Sequence, residues 1–126
     1  MGAEATALSR GQAVNAGPLL ETFVAGEIAR QLTWSHVQAS LHHWRDRSGS
    51  EVDLVLEATD GRVVGIEVKA AVDVTDRDFT GLRALRRRVG TDFIAGIVLH
   101  CAERPRRFGA GMSALPISSL WDTGAA

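Results

Sequence analysis

Two acid-bearing β-segments joined by a glycine turn constrain this chain most. The first is Glu51-Val52-Asp53-Leu54-Val55-Leu56-Glu57; the second is Val63-Val64-Gly65-Ile66-Glu67-Val68-Lys69. Both are rich in β-branched and apolar residues, as strands are. Thr59-Asp60-Gly61 between them is a hairpin signal. A two-residue Asp60-Gly61 loop pairs Thr59 with Arg62 and sets Asp53 against Val68. A three-residue loop, with Gly61 left-handed in a bulge, pairs Ala58 with Arg62. Asp53 then faces Glu67, and Glu51 faces Lys69. One residue of register thus decides which groups meet. The longer loop also gathers Val52, Leu54, Leu56, Val64, Ile66 and Val68 into one apolar layer. The shorter one mixes charge into both faces, so the longer loop is expected.

Burying an unpaired charge is costly. Asp53, Glu67 and Lys69 therefore mark either a solvated sheet face or a site. Carboxylates on adjacent strands beside a lysine suit a divalent metal and a water to be activated. Of the chain's 14 basic residues, only Lys69 is lysine. Lysine is a compact point charge, whereas guanidinium is a broad fork. One lysine in an arginine-biased chain suggests a place where arginine would not serve; chance retention is the plain alternative. A Glu51–Lys69 pair across the strands would tie up the lysine and argue against catalysis.

At 126 residues the chain fits one domain, and 45% hydrophobic residues allow a substantial core. There is no run of about 18 apolar residues, so no membrane span is expected. The stretch 1–16 lacks the apolar core of a signal peptide and reads as a flexible lead-in or connector, with the domain proper over 17–122. Cys101 is the single cysteine, which excludes internal disulfides and cysteine-cluster zinc sites. A cytoplasmic protein is expected, and a homo-oligomer is compatible. The net charge of −1 confines any nucleic-acid affinity to local arginine patches.

Leu20, Phe23, Val24, Ile28 and Leu32 recur at helical spacing, with Pro18 suited to the first turn. Glu21 and Glu27 lie on this helix, six positions or about 600° apart, so they point to different sides. Residues 40–47 read as a strand closed by Ser48-Gly49. Acids over 73–76 open a second helix, whose apolar stripe is Phe79, Leu82, Leu85 and Val89 and whose C-cap is Gly90. Residues 93–99 are a continuous apolar run suited to a buried strand. Residues 101–112 read as a loop, 113–116 as a short strand and 117–121 as a helical turn. The order is α-β-β-β-α-β-(β). The predicted fold is α/β, a mixed sheet flanked by helices.

Arg86-Arg87-Arg88, with Arg83, form an arginine cluster near the end of the second helix, and Arg83, Arg86 and Arg87 are its candidate nucleic-acid contacts. They are either a solvated face that complements the helix dipole or a phosphate-contacting edge. His42 and His43 are neighbours on a strand and point to opposite faces, which disfavours a joint ligand role. His36 and His100 have no evident partner in the sequence. Trp34, Trp44 and Trp121 read as packing residues.

Glu21 on the first helix, Asp53 on one strand and Glu67-Val68-Lys69 on the next resemble the PD-(D/E)XK nuclease superfamily, whose restriction-endonuclease-like fold matches the predicted order. The chain is also similar to the uncharacterised C-terminal domain of prokaryotic AAA-type ATPases. That similarity runs through Gly17 to Val24, Arg47 to Asp53, Ile66 to Lys69 and Leu115 to Trp121. No phosphate-binding Gly-x-x-x-x-Gly-Lys-Ser/Thr loop is present, so the chain reads as an excised or stand-alone C-terminal module with an ATPase as its upstream partner. Val52 stands in place of the motif's proline, a residue often absent in the superfamily. The resemblance implies metal ligation by Asp53, Glu67 and the Val68 carbonyl. It implies Mg²⁺, with Mn²⁺ able to substitute, and catalytic roles for Glu21, Asp53, Glu67 and Lys69 in phosphodiester hydrolysis of nucleic acid. The alternative is a non-catalytic module that keeps the fold and binds nucleic acid or protein.

Overall fold

The computed structural model describes residues 16–36 and 38–121. The lead-in expected over 1–16 falls almost wholly outside them. Helix α1 spans Ala16–Leu32. Strands β1 (Ala39–Arg45), β2 (Glu51–Ala58) and β3 (Val63–Val68) follow as an antiparallel meander. A 3-10 turn, Asp76–Phe79, leads into α2 (Thr80–Val89). Strand β4 (Phe93–His100) then lies parallel to β3. Strands β5 (Arg106–Arg107) and β6 (Met112–Pro116) pair antiparallel, and β6 lies parallel to β4. A 3-10 turn, Ile117–Trp121, ends the described chain. The sheet order is β1-β2-β3-β4-β6-β5. This is the mixed α/β sheet expected from the element order. The two-residue β5, inside a stretch read as loop, is an addition.

Each helix covers one face. From α1, Val24 and Ile28 pack on Leu54, Ile66 and Leu99. From α2 and its entry turn, Phe79, Leu82 and Leu85 pack on Val55, Val63 and Val98. Full burial of such a side chain contributes about 1.5–3 kcal/mol, so these two layers hold the helices to the sheet. Gly90 caps α2 with φ +77°. Phe23 is a correction. It sits one position, about 100°, off the Val24 stripe, and is 52% exposed against Trp121. Trp34, read as a packing residue, is 81% exposed.

The hairpin register is the three-residue one. Leu54 pairs with Ile66 and Leu56 with Val64. The Ala58 N–H donates to the Arg62 carbonyl at 2.9 Å, and Gly61 has φ +96°. A side chain at Gly61 would be strained by its backbone conformation rather than by crowding. Gly61→Ala should therefore cost about 1–2 kcal/mol, measurable by urea denaturation. An unchanged midpoint would show that the turn relaxes to another conformation.

One part of the expected layer is corrected. Opposite β1, His42 pairs with Val55 and Trp44 with Val52, so His43 faces both Asp53 and Leu54. This extra residue is a β-bulge in β2, and it reverses the alternation beyond it. Val52 accordingly leaves the Leu54 layer and joins the core under α2.

Candidate functional site

The bulge places Asp53 where the β2–β3 ladder opens. The ladder runs up to Leu54–Ile66. Beyond it, side chains make the links between strands. The Asp53 N–H donates to Glu67 Oε1 at 2.8 Å, and the Val68 N–H donates to Asp53 Oδ2 at 2.9 Å. Each carboxylate thus reaches the backbone of the opposite strand. The expected Asp53–Glu67 encounter occurs, through this exchange rather than through a continuing ladder. From α1, Glu21 comes up beside Asp53, and the two line one cleft. Glu27 points elsewhere and takes a bidentate bond from Arg30 at 2.7 and 2.8 Å. Of the two helix acids, Glu21 meets the strand acids.

Burial first, and then crowding of like charges, sets the electrostatics. Burial, reinforced by the charge of Asp53, pushes Glu67 up to about 8; the Asp53 N–H works the other way, and Glu51 and Glu21 add to the rise. Glu21 is raised as well, first by burial and then by the neighbouring Asp53 carboxyl. Like carboxylates resist joint ionisation, and a proton or a cation relieves them. Glu21 and Asp53 also line an open cleft of about 390 Å³ with Thr22, His42 and His43. His42 Nε2 lies 3.1 Å from Glu57, and His43 Nδ1 lies 3.4 Å from the Asp53 carbonyl, so the two histidines have separate partners.

Lys69 has a partner that the sequence reading missed. Its Nζ lies 2.7 Å from Asp78 Oδ2. Asp78 also accepts the Thr75 N–H at 2.8 Å. Burial alone would raise the Asp78 carboxyl, but Lys69 and the Thr75 N–H outweigh it and hold it below the ordinary range. The Thr75-x-x-Asp78 spacing of a helix-entry box was the available signal. The alternative Glu51–Lys69 pair does not form. The Lys69 N–H bonds the Leu99 carbonyl on β4, and Glu51 sits 3.6 Å from Arg45.

Two of the three candidate arginines have partners within the domain. Arg83 binds the Asp76 carboxylate at 2.6 Å and the Phe108 carbonyl at 3.3 Å. Arg86 donates to the Ala110 carbonyl at 3.0 Å. Both tether the β5–β6 hairpin to α2, while Arg87 stays exposed. Among the described residues, no three His, Cys, Asp or Glu side chains are arranged to hold a metal ion. Nor is any described helix long and apolar enough to cross a membrane.

The profile of a domain of unknown function, DUF4143, matches residues 16–120. The chain belongs to the DUF4143 family. Its matched span takes in both helices, every described strand and the whole acidic group. No curated protein and no solved structure matches the chain.

Proposed function

We propose that this DUF4143 domain is a PD-(D/E)XK-like module for divalent-cation-dependent phosphodiester hydrolysis of nucleic acid, working in the cytoplasm beside an ATPase. The observation that carries the reading is the meeting of Glu21, Asp53 and Glu67, from a helix and two strands, where the β2–β3 ladder opens. The donors are all hard oxygens, as Mg²⁺ and Mn²⁺ prefer. Mg²⁺ commonly uses one or two carboxylates and keeps several waters. Asp53, Glu67 and the Val68 carbonyl fit that pattern without a three-carboxylate cage. When bound, the ion would stabilise charge on the phosphate oxygens. Glu67, raised to about 8, can release a proton near neutral pH. Lys69, held by Asp78, keeps a fixed positive charge two residues beyond Glu67. Glu21 supplies a further acid from the side of α1.

Calorimetric titration of Mg²⁺ and Mn²⁺, followed by cleavage of a DNA and RNA panel, tests the reading. Asp53→Ala, Glu67→Ala and Lys69→Ala should each abolish cleavage, and their combinations should lose no more, because they disable one step. Lys69→Arg should also fail. A second reading, a binding module without catalysis, is favoured by the Lys69–Asp78 ion pair, which engages the lysine. A folded wild-type protein that binds neither ion and cuts nothing would leave only that reading.

A further inference from the structure

A second cleft lies away from the acidic group. It measures about 780 Å³ and is lined by Trp44, Arg45, Asp46, Arg47, Ser48 and Arg88. Its three guanidinium groups come from three elements: the end of β1, the β1–β2 turn and the last turn of α2. The sequence hides this convergence. Arg88 belongs to the run Arg86-Arg87-Arg88, yet two positions along a helix is about 200°. Arg86 is accordingly held by the Ala110 carbonyl on one side of α2, while Arg88 lines the cleft on the other.

The turn that carries Arg47 is closed and fixed. The Asp46 N–H donates to the Ser50 carbonyl at 2.9 Å, and Gly49 has φ +95°. Asp46 is the acid in the lining. Its Oδ1 accepts the Ser48 N–H at 3.0 Å, the Ser48 hydroxyl at 2.8 Å and the Ser50 N–H at 2.9 Å, so it turns into the loop. Arg45 is held loosely by exposed Glu51 at 3.6 Å, a type of surface pair that a stronger anion displaces. Arg47 and Arg88 are exposed. Trp44, half-buried on the core under α2, forms an apolar wall.

We infer that this cleft binds the phosphodiester backbone of a nucleic-acid strand through Arg45, Arg47 and Arg88. Guanidinium matches phosphate geometry in bidentate fashion. Three of them around a space this large suit successive phosphates rather than one. An aromatic wall beside basic groups is the usual composition of a strand-binding groove. The site needs no metal and holds a strand whether or not the acidic group cuts it.

Fluorescence anisotropy in EDTA tests this, with labelled single-stranded and duplex oligonucleotides as probes and ATP, inorganic phosphate and polyglutamate as competitors. Binding of either oligonucleotide should weaken about tenfold in Arg47→Ala and again in Arg88→Ala, and the salt slope should fall by about one unit for each. Arg104→Ala, on an exposed arginine outside the cleft, should change neither. Equal competition by polyglutamate, or competition by phosphate alone at matched charge, would overturn a phosphodiester site. So would unchanged affinity in an Arg47→Ala/Arg88→Ala protein that melts like wild type. Because metal is absent, failure here leaves the hydrolytic reading standing, and failure of cleavage leaves this site standing.

Discussion

At pH 8 the Glu67→Gln variant should be more stable than the parent protein, while at pH 5 the two should melt close together. Glu67 titrates near 8 in the fold against 4.5 for an ordinary glutamate. Burial is the main cause, and the charge of Asp53 comes next. A folded value above the unfolded one means that the native state holds a proton the unfolded chain has released. The associated stability is present in full below about pH 4.5 and is lost as pH rises toward 8. The loss is about 1.4 kcal/mol per pH unit across that window, a total on the order of 3–5 kcal/mol. Glutamine carries no charge at any pH, and its carbonyl can still accept the Asp53 N–H. The gain at pH 8 should appear as a melting temperature higher by roughly 10 °C or more. Glu21 slopes the same way, because it too is raised. Asp78 is lowered, so its contribution is lost toward acid instead. Melting curves collected from pH 5 to 9 decide the matter: parallel pH profiles for parent and variant would mean that Glu67 is ionised throughout. Under the proposed metal-binding role, the same group predicts that Mg²⁺ binding at pH 7 releases more protons from the parent than from Glu67→Gln.

The hairpin was legible because its turn and its faces agree. Gly61 supplies a left-handed residue, and the apolar pattern of Leu54, Leu56, Val64 and Ile66 is coherent in one register only. Both helical stripes were legible for the same reason, apart from Phe23, whose neighbour Val24 sits closer to the middle of the buried face. The site was legible as a set of residues and not as a geometry. The extra residue in β2 is invisible to a period-two reading, because nothing in Glu51 to Leu56 departs from a regular strand. It nevertheless moves Val52 to the other face and frees the Asp53 N–H for Glu67. Asp78 escaped because its tie to Lys69 spans nine residues and depends on where the entry turn of α2 comes to rest. Charge runs proved least informative. Arg86 and Arg88, two letters apart, face a hairpin and a cleft on different sides of one helix.

The glycines of the second face were equally silent in the sequence, and one of them gives the largest packing prediction. Gly81, in the first turn of α2, lies against β2 so closely that an added Cβ would collide with the Glu51 carbonyl oxygen. The obstacle is backbone in a paired strand, which cannot swing aside as a side chain can. Alanine would favour the helix by about 1 kcal/mol. Against this, forced overpacking costs about 1–3 kcal/mol and sometimes more, with the high end applying where neither element yields. Gly81→Ala should therefore be destabilised by about 2 kcal/mol net. Under the proposed metal-binding role it should also weaken Mg²⁺ binding, because Glu51 begins the strand segment that positions Asp53. Gly26→Ala is the control. It lies in α1 with open space around the would-be Cβ, so the same change should stabilise by roughly 0.5–1 kcal/mol. Urea denaturation of both variants separates the contributions, since helix propensity acts on each and collision on one. A Gly81→Ala protein as stable as the parent would show that α2 does not rest on the Glu51 backbone.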